Sequence, residues 1–184
     1  MNLNLKWTRV TLPIQHNEAH GMKTLLLLRH AKSSWKNGHL SDFDRPLNER
    51  GTKAAPMIGR LIRKKKLQPD LVLSSSAERA RQTAALVLES ARLKTELRHD
   101  ERIYEAGAPR LLEIVSQIDD TTNVAMLVGH NPGLEELLED LTGESMHLPT
   151  AGLARIELDV EKWDKVHEGA GRVEWLIKPK DLKS

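Results

Sequence analysis

Two histidines and two arginines stand where the sequence changes character. The apolar run Leu25 to Leu28 ends abruptly in Arg29-His30. A second run, Asp70 to Leu73, gives way to Ser74-Ser75-Ser76, and Arg79 follows in the opening turn of a helix-period stretch. A third, Val124 to Val128, is followed by Gly129-His130, just before another helix start. A neutral imidazole is a competent nucleophile toward phosphorus near pH 7, because its ordinary pKa leaves a lone pair available. Guanidiniums suit the equatorial oxygens of a phosphoryl group and stabilise the charge that develops there. Phosphoryl transfer asks for positioning and electrostatics more than covalent help. One histidine as nucleophile, a second as donor and two arginines are then enough, with no metal and no cofactor.

These residues can cooperate only if the elements before them end at one place. From Met22 onward, short apolar runs alternate with helix-period segments, the pattern of an α/β domain. Lys23 to Leu28 reads as a strand buried on both faces of a mostly parallel sheet. Asn48 caps a helix carrying Ala54, Met57, Ile58, Leu61 and Ile62, which Pro56 either kinks or divides. After the strand 70–73, the serines offer a cap to a helix with Ala80, Ala84, Val87 and Leu88 on one stripe. Thr95 to Arg98 is a weak strand, and Pro109 sits in the first turn of a helix with Leu111, Ile114, Val115 and Ile118. Asn131 as cap and Pro132 at the first helical position open a helix that stops near Gly143. Gly152 to Leu158 and Arg172 to Ile177 alternate as partly exposed strands. In open α/β sheets, ligands bind beyond the carboxyl ends of the strands. The two histidines and two arginines therefore converge if the strands are parallel neighbours. Two helix N-termini would face the same region and favour an anion.

Composition narrows the partners. The chain has 184 residues, 39% hydrophobic and 29% charged, which suits one soluble domain. The formal net charge is only +2 despite a pI near 8.9. With one Tyr, one Phe and four Trp there is no platform on which bases could stack, so no nucleic acid is expected. Cysteine is absent, which removes disulfides, thiolate zinc sites and a cysteine nucleophile, and suits a reducing, cytoplasmic setting. The apolar run at 25–28 is far too short to cross a bilayer, so no membrane is expected. Residues 1–21 lack a signal-peptide core and read as a partly disordered extension before a single domain, 22–184. His16, His20, His39, His99, His147 and His167 show no metal-ligand spacing and read as surface residues. Arg63 to Lys66 reads as the cationic end of a helix.

The segment Leu-Leu-Leu-Leu-Arg29-His30-Ala31-Lys32-Ser33 resembles the Arg-His signature of the histidine phosphatase superfamily. Asp44-Arg45-Pro46-Leu47-Asn48-Glu49-Arg50-Gly51 resembles the segment that follows it. Ser74-Ser75-Ser76-Ala77-Glu78-Arg79-Ala80-Arg81-Gln82-Thr83 matches the second-arginine motif, and Val128-Gly129-His130-Asn131-Pro132 the second-histidine motif. The order is right over roughly residues 23 to 132, and the Ala-Lys-Ser variant is most similar to the SixA-type phosphohistidine phosphatases. The resemblance implies a phosphoglycerate-mutase-like fold: a mostly parallel central sheet with helices on both faces and no large lid domain. It also implies Arg29, His30, Arg79 and His130 as the phosphate pocket, with His30 as nucleophile. Larger members supply an acid to protonate the leaving group, whereas the small branch is described as lacking one. Glu105 is the candidate here, following Asp100-Glu101-Arg102-Ile103-Tyr104.

Ser33 is a further candidate for binding substrate, beside Lys32 and Ser34, and Arg45 either lines the entrance or pairs with Asp42 or Asp44. Only 51 residues separate Arg79 from His130, and the elements between them leave little for a lid. An open site favours a side chain protruding from another protein over a small metabolite. The leading expectation is therefore a phosphatase acting on phosphohistidine in a protein. A phosphomonoesterase acting on small phosphate esters and a non-catalytic phosphate-binding module remain alternatives, and self-association is undetermined.

Overall fold

The computed structural model describes residues 22–36 and 38–182; the expectation for residues 1–21 lies outside them. Among the described residues, six strands form one sheet: β1 (Lys23–Arg29), β2 (Leu71–Ser75), β3 (Glu96–Asp100), β4 (Val124–Gly129), β5 (Leu153–Leu158) and β6 (Gly171–Ile177). Their order is β3-β2-β4-β1-β5-β6. The first four in that order run parallel, and β5 and β6 add antiparallel at the β1 side. Four α-helices among the described residues cover the sheet: α1 (Glu49–Lys64), α2 (Glu78–Ala91), α3 (Ala108–Ser116) and α4 (Gly133–Thr142).

Alternation along β1 explains the two layers, since successive side chains leave a strand on opposite faces. Leu26 and Leu28 join Val72, Met126 and Val128 against Ile58 and Ile62 of α1 and Ala84 and Val87 of α2. Leu25 and Leu27 join Leu71 and Leu73 against Leu111 and Ile114 of α3 and Leu134, Leu137 and Leu141 of α4. All four leucines are fully buried, each contributing about 1.5–3 kcal/mol of transfer free energy. The architecture is the expected α/β fold, with no large lid domain among the described residues. No helix among them is long and apolar enough to cross a membrane.

Three local expectations need correction. Helix α1 runs unbroken through Pro56, with Asn48 Oδ1 accepting from the Gly51 N–H as its cap. Ser74 and Ser75 do not cap α2. They extend β2, and α2 begins after Ala77 with no side-chain cap. Asn131 does not cap α4, which starts at Gly133 after a cis Asn131–Pro132 bond, because its amide instead reaches the Leu148 carbonyl at 3.0 Å.

Candidate active site

Strand register brings the two histidines together. In the parallel pairing of β1 with β4, Arg29 stands opposite Gly129, so the next pair along is His30 and His130. The His30 N–H continues the ladder onto the Gly129 carbonyl at 3.0 Å. One hundred positions apart in sequence, the two imidazole rings lie 5.0 Å apart, and both are buried. Strand β2 pairs with the other side of β4, Ser74 opposite Val128, which carries Ser75 to His130. Arg79 follows in the first turn of α2 and is 5% exposed. Arg29, at the end of β1, is half-buried.

Each imidazole has one defined partner. His30 Nδ1 lies 2.7 Å from the Ala31 carbonyl. A carbonyl only accepts, so Nδ1 carries the proton and Nε2 keeps its lone pair. His130 Nε2 lies 2.8 Å from the buried Ser75 hydroxyl. That oxygen already accepts from the Ala77 N–H at 3.2 Å. A hydroxyl given to His130 Nε2 goes with a proton on Nδ1, the tautomer that an oxyanion beside Nδ1 requires. His130 Nδ1 is buried and has no partner among the described residues, and the same holds for Arg29 Nε and Arg79 Nε. Two buried guanidinium N–H donors and a buried imidazole nitrogen, on residues meeting at one sheet edge, suit an oxyanion.

Burial keeps both rings neutral. It lowers the His30 pKa to about 4; the Ala31 hydrogen bond opposes this, and the charges of Arg79, Arg29 and Arg45 reinforce it. Burial, followed by the His30 and Arg79 charges, lowers His130 to about 3 against the opposing pull of Asp42.

The loop between β1 and α1 supplies a hub that sequence reasoning assigned only to a surface pair. Asp42 accepts from Arg79 Nη2 at 2.9 Å, Arg45 Nε at 2.9 Å and Nη2 at 2.6 Å, and the Tyr104 hydroxyl at 2.9 Å. Arg79 Nη1 donates to the Asp42 carbonyl. Partial burial pushes the Asp42 carboxyl up. Hydrogen bonds from Tyr104 and Arg45 and the charges of Arg79 and Arg45 outweigh it and hold the pKa below the usual range. Tyr104 stands edge-on to His130, with ring centres 5.6 Å apart. Its hydroxyl is pushed up to about 12 by burial and by the carboxylates of Asp42 and Glu105.

The remaining candidates from the sequence have these surroundings. Ser33 is buried, and its oxygen accepts from Arg45 Nη1 at 2.9 Å. Arg45 is buried too, and besides pairing with Asp42 it stacks on Trp35 with its guanidinium carbon 3.5 Å from the ring centre. Glu105 is exposed on the β3–α3 connection with φ of 54°, beside Tyr104. The Glu78 N–H at the α2 N-terminus is given to the Phe43 carbonyl rather than left for a ligand. Thr83 was not singled out from sequence, yet it ties α2 to the loop after His30. Its hydroxyl oxygen takes the Ala31 N–H at 3.0 Å and donates to the Arg79 carbonyl at 2.6 Å. His99, His147 and His167 are exposed, as is His39.

Residues 25–147 match the family described as the histidine phosphatase superfamily (branch 1). The uncharacterized protein Rv1276c of Mycobacterium tuberculosis is 32% identical over 153 residues, covering 77% of this chain and 93% of that protein. SixA from Agrobacterium tumefaciens superposes with a TM-score of 0.74 at 31% identity, over 85% of this chain and 98% of that one. The protein histidine phosphatase SixA complexed with tungstate gives a TM-score of 0.73 at 21% identity, over 87% and 99% of the two chains. The last likeness is one of fold.

Proposed function

The chain belongs to the histidine phosphatase superfamily (branch 1), and on that premise we propose that it hydrolyses phosphohistidine in a protein through a phosphoenzyme on His30. His30 Nε2, held unprotonated by the Nδ1 bond to Ala31, attacks phosphorus. The substrate P–N bond breaks as the Nε2–P bond forms, and the leaving imidazole takes a proton. Water then attacks phosphorus, the Nε2–P bond breaks, and inorganic phosphate leaves. Arg29 and Arg79 hold the phosphoryl oxygens, and the His130 Nδ1–H donates to another as charge builds. Ser33 keeps its hydroxyl proton for the same group while its oxygen positions Arg45. Glu105, exposed beside the site, supplies a proton where the leaving group needs one.

The observation that carries this reading is the pair of neutral imidazoles 5.0 Å apart, with unpartnered donors on Arg29, Arg79 and His130 around them. The tungstate in a protein of similar fold, itself a tetrahedral oxyanion, supports a phosphate site. The leaving imidazole of phosphohistidine is readily protonated by solvent, so the substrate does not demand a buried acid. The deciding experiment compares turnover of a histidine-phosphorylated protein with that of p-nitrophenyl phosphate. Faster hydrolysis of the phosphoprotein is expected. Rapid ester hydrolysis with negligible action on phosphohistidine would reject the proposal in favour of a small-ester phosphatase.

A further inference from the structure

A second concave surface lies beside the catalytic residues. It encloses about 660 Å3 and is rimmed by Lys32, Arg50, Lys53, Lys178 and Lys180. Met57, Pro149 and Pro179 give it an apolar floor. Lys53 pairs with Glu49 at 2.6 Å; the other four rim cations have no carboxylate partner among the described residues.

Topology makes this groove continuous with the phosphate pocket. Lys32 is two residues past His30, and Arg50 and Lys53 lie in the first turns of α1. Lys178 and Lys180 follow β6, which ends at the same sheet edge as β1 because both pair antiparallel to β5. The segment 148–151 is a shared wall: Leu148 O accepts from Arg29 Nη1, while Pro149 and Thr150 line the groove. Ala151 closes the wall by donating its N–H to the Arg29 and His30 carbonyls.

We propose that this groove binds an acidic segment of the phosphoprotein substrate, its carboxylates on the rim cations and an apolar side chain on the floor. The inference rests on the phosphohistidine reading and extends it to substrate selection. Charge complementarity favours this occupant: four cations unpaired among the described residues and no acid among the lining residues. No Trp, Tyr or Phe lines the groove, and its one ring, His147, is paired with Glu135 at 2.9 Å, which favours a peptide over a nucleic acid. The apolar floor favours a segment with apolar and acidic side chains interleaved over a bare inorganic anion.

The test uses two phosphohistidine peptides of equal length, one with Glu and Leu flanking the histidine and one with the Glu replaced by Gln. Phosphoramidate is the small-molecule control. For the wild-type protein at low salt, KM is expected to be about ten-fold lower for the Glu peptide, the advantage shrinking as salt is raised. In the triple variant Arg50→Glu, Lys178→Glu, Lys180→Glu the preference disappears, while phosphoramidate turnover stays within about two-fold, which also reports an intact fold. Equal KM values for the two peptides with the wild-type protein would overturn the proposal, whatever the variant does. So would an equal loss on peptide and phosphoramidate in the variant, or stronger inhibition by a single-stranded oligonucleotide than by the unphosphorylated Glu peptide. Wild-type hydrolysis of p-nitrophenyl phosphate with neither peptide cleaved would instead overturn the phosphohistidine reading itself.

Discussion

Two cations cap the two ends of β1, and their surroundings separate a structural role from a chemical one. Lys23 Nζ is satisfied three times over, by the carbonyls of Asp120 at 2.7 Å and Thr122 at 2.9 Å and by Asn123 Oδ1 at 3.1 Å. Arg29 gives one bond to Leu148 and leaves its buried Nε unpartnered. Each of the two rings has a single neighbour: the Ala31 carbonyl fixes the His30 tautomer, and the Ser75 hydroxyl faces His130 Nε2, to which we assign its proton. Ser75→Ala removes the proton aimed at His130 Nε2, so His130 no longer holds its Nδ1–H form. A loss of about ten-fold in kcat is expected, roughly one hydrogen bond, with Ser75→Thr largely restoring it. Nitrogen NMR shifts should show the His130 tautomer mixture in the Ala variant, and an unchanged tautomer with unchanged kcat would contradict this role. Burial also makes stability depend on pH. His30 and His130 titrate at about 4 and about 3 when folded, against an ordinary value near 6.5, so the unfolded chain binds more protons below that. Unfolding free energy should therefore fall as pH drops from about 6.5 toward 4, by roughly 1.4 kcal/mol per pH unit for each histidine. His130→Gln should flatten that slope in denaturant titrations; an equally steep slope would contradict the buried neutral state.

The strands and helices were legible to different degrees, and for physical reasons. Buried parallel strands are continuous apolar runs, so Leu25–Leu28 and Val124–Val128 announce themselves, and the candidate site residues directly after them follow. Helix starts were not legible at two places. Ser74 and Ser75 look like caps, yet β2 consumes them as strand residues, and that extension lets the Ser75 hydroxyl meet His130. Asn131 looks like a cap, yet its amide is used 17 residues away at Leu148. Asp42 was legible only as an ion-pair partner for Arg45, because its bonds to Arg79 and Tyr104 span 37 and 62 positions and depend on how the loop folds back. Packing of α1 on α2 fixes where Arg79 and Thr83 sit. A Cβ at Gly59 would stand 2.4 Å from the Val87 carbonyl oxygen and 2.7 Å from Ser90 Cβ, so backbone would have to move. Gly59→Ala should destabilise the fold by about 1–3 kcal/mol in thermal or denaturant unfolding. Unchanged stability would mean that the two helices are not in such close contact.

At the scale of the whole molecule, the site takes its character from how little chain lies between the elements that carry it. The interval from α2 to β4 holds one strand, a short 3-10 turn at Glu101–Ile103 and α3, and among the described residues no domain closes over the histidines. An open pocket with a cationic groove beside it suits a side chain presented by another macromolecule. Vanadate, which adopts the five-coordinate geometry of phosphoryl transfer, should inhibit with micromolar affinity in steady-state assays, and indifference to it would count against an oxyanion pocket. Turnover built on imidazoles and guanidiniums should also survive chelators unchanged; a rate lost to EDTA and restored by a divalent metal would show that positioning and charge on this chain are not sufficient.

Rapid-quench labelling with a phosphorus-32 phosphohistidine donor addresses the chemistry at its centre. A protein-bound phosphoryl group that is labile in acid, stable in alkali, mapped by peptide sequencing to position 30 and absent from the His30→Ala variant is the predicted result. Turnover of the wild-type protein with no such species, or full activity in His30→Ala, would contradict the account.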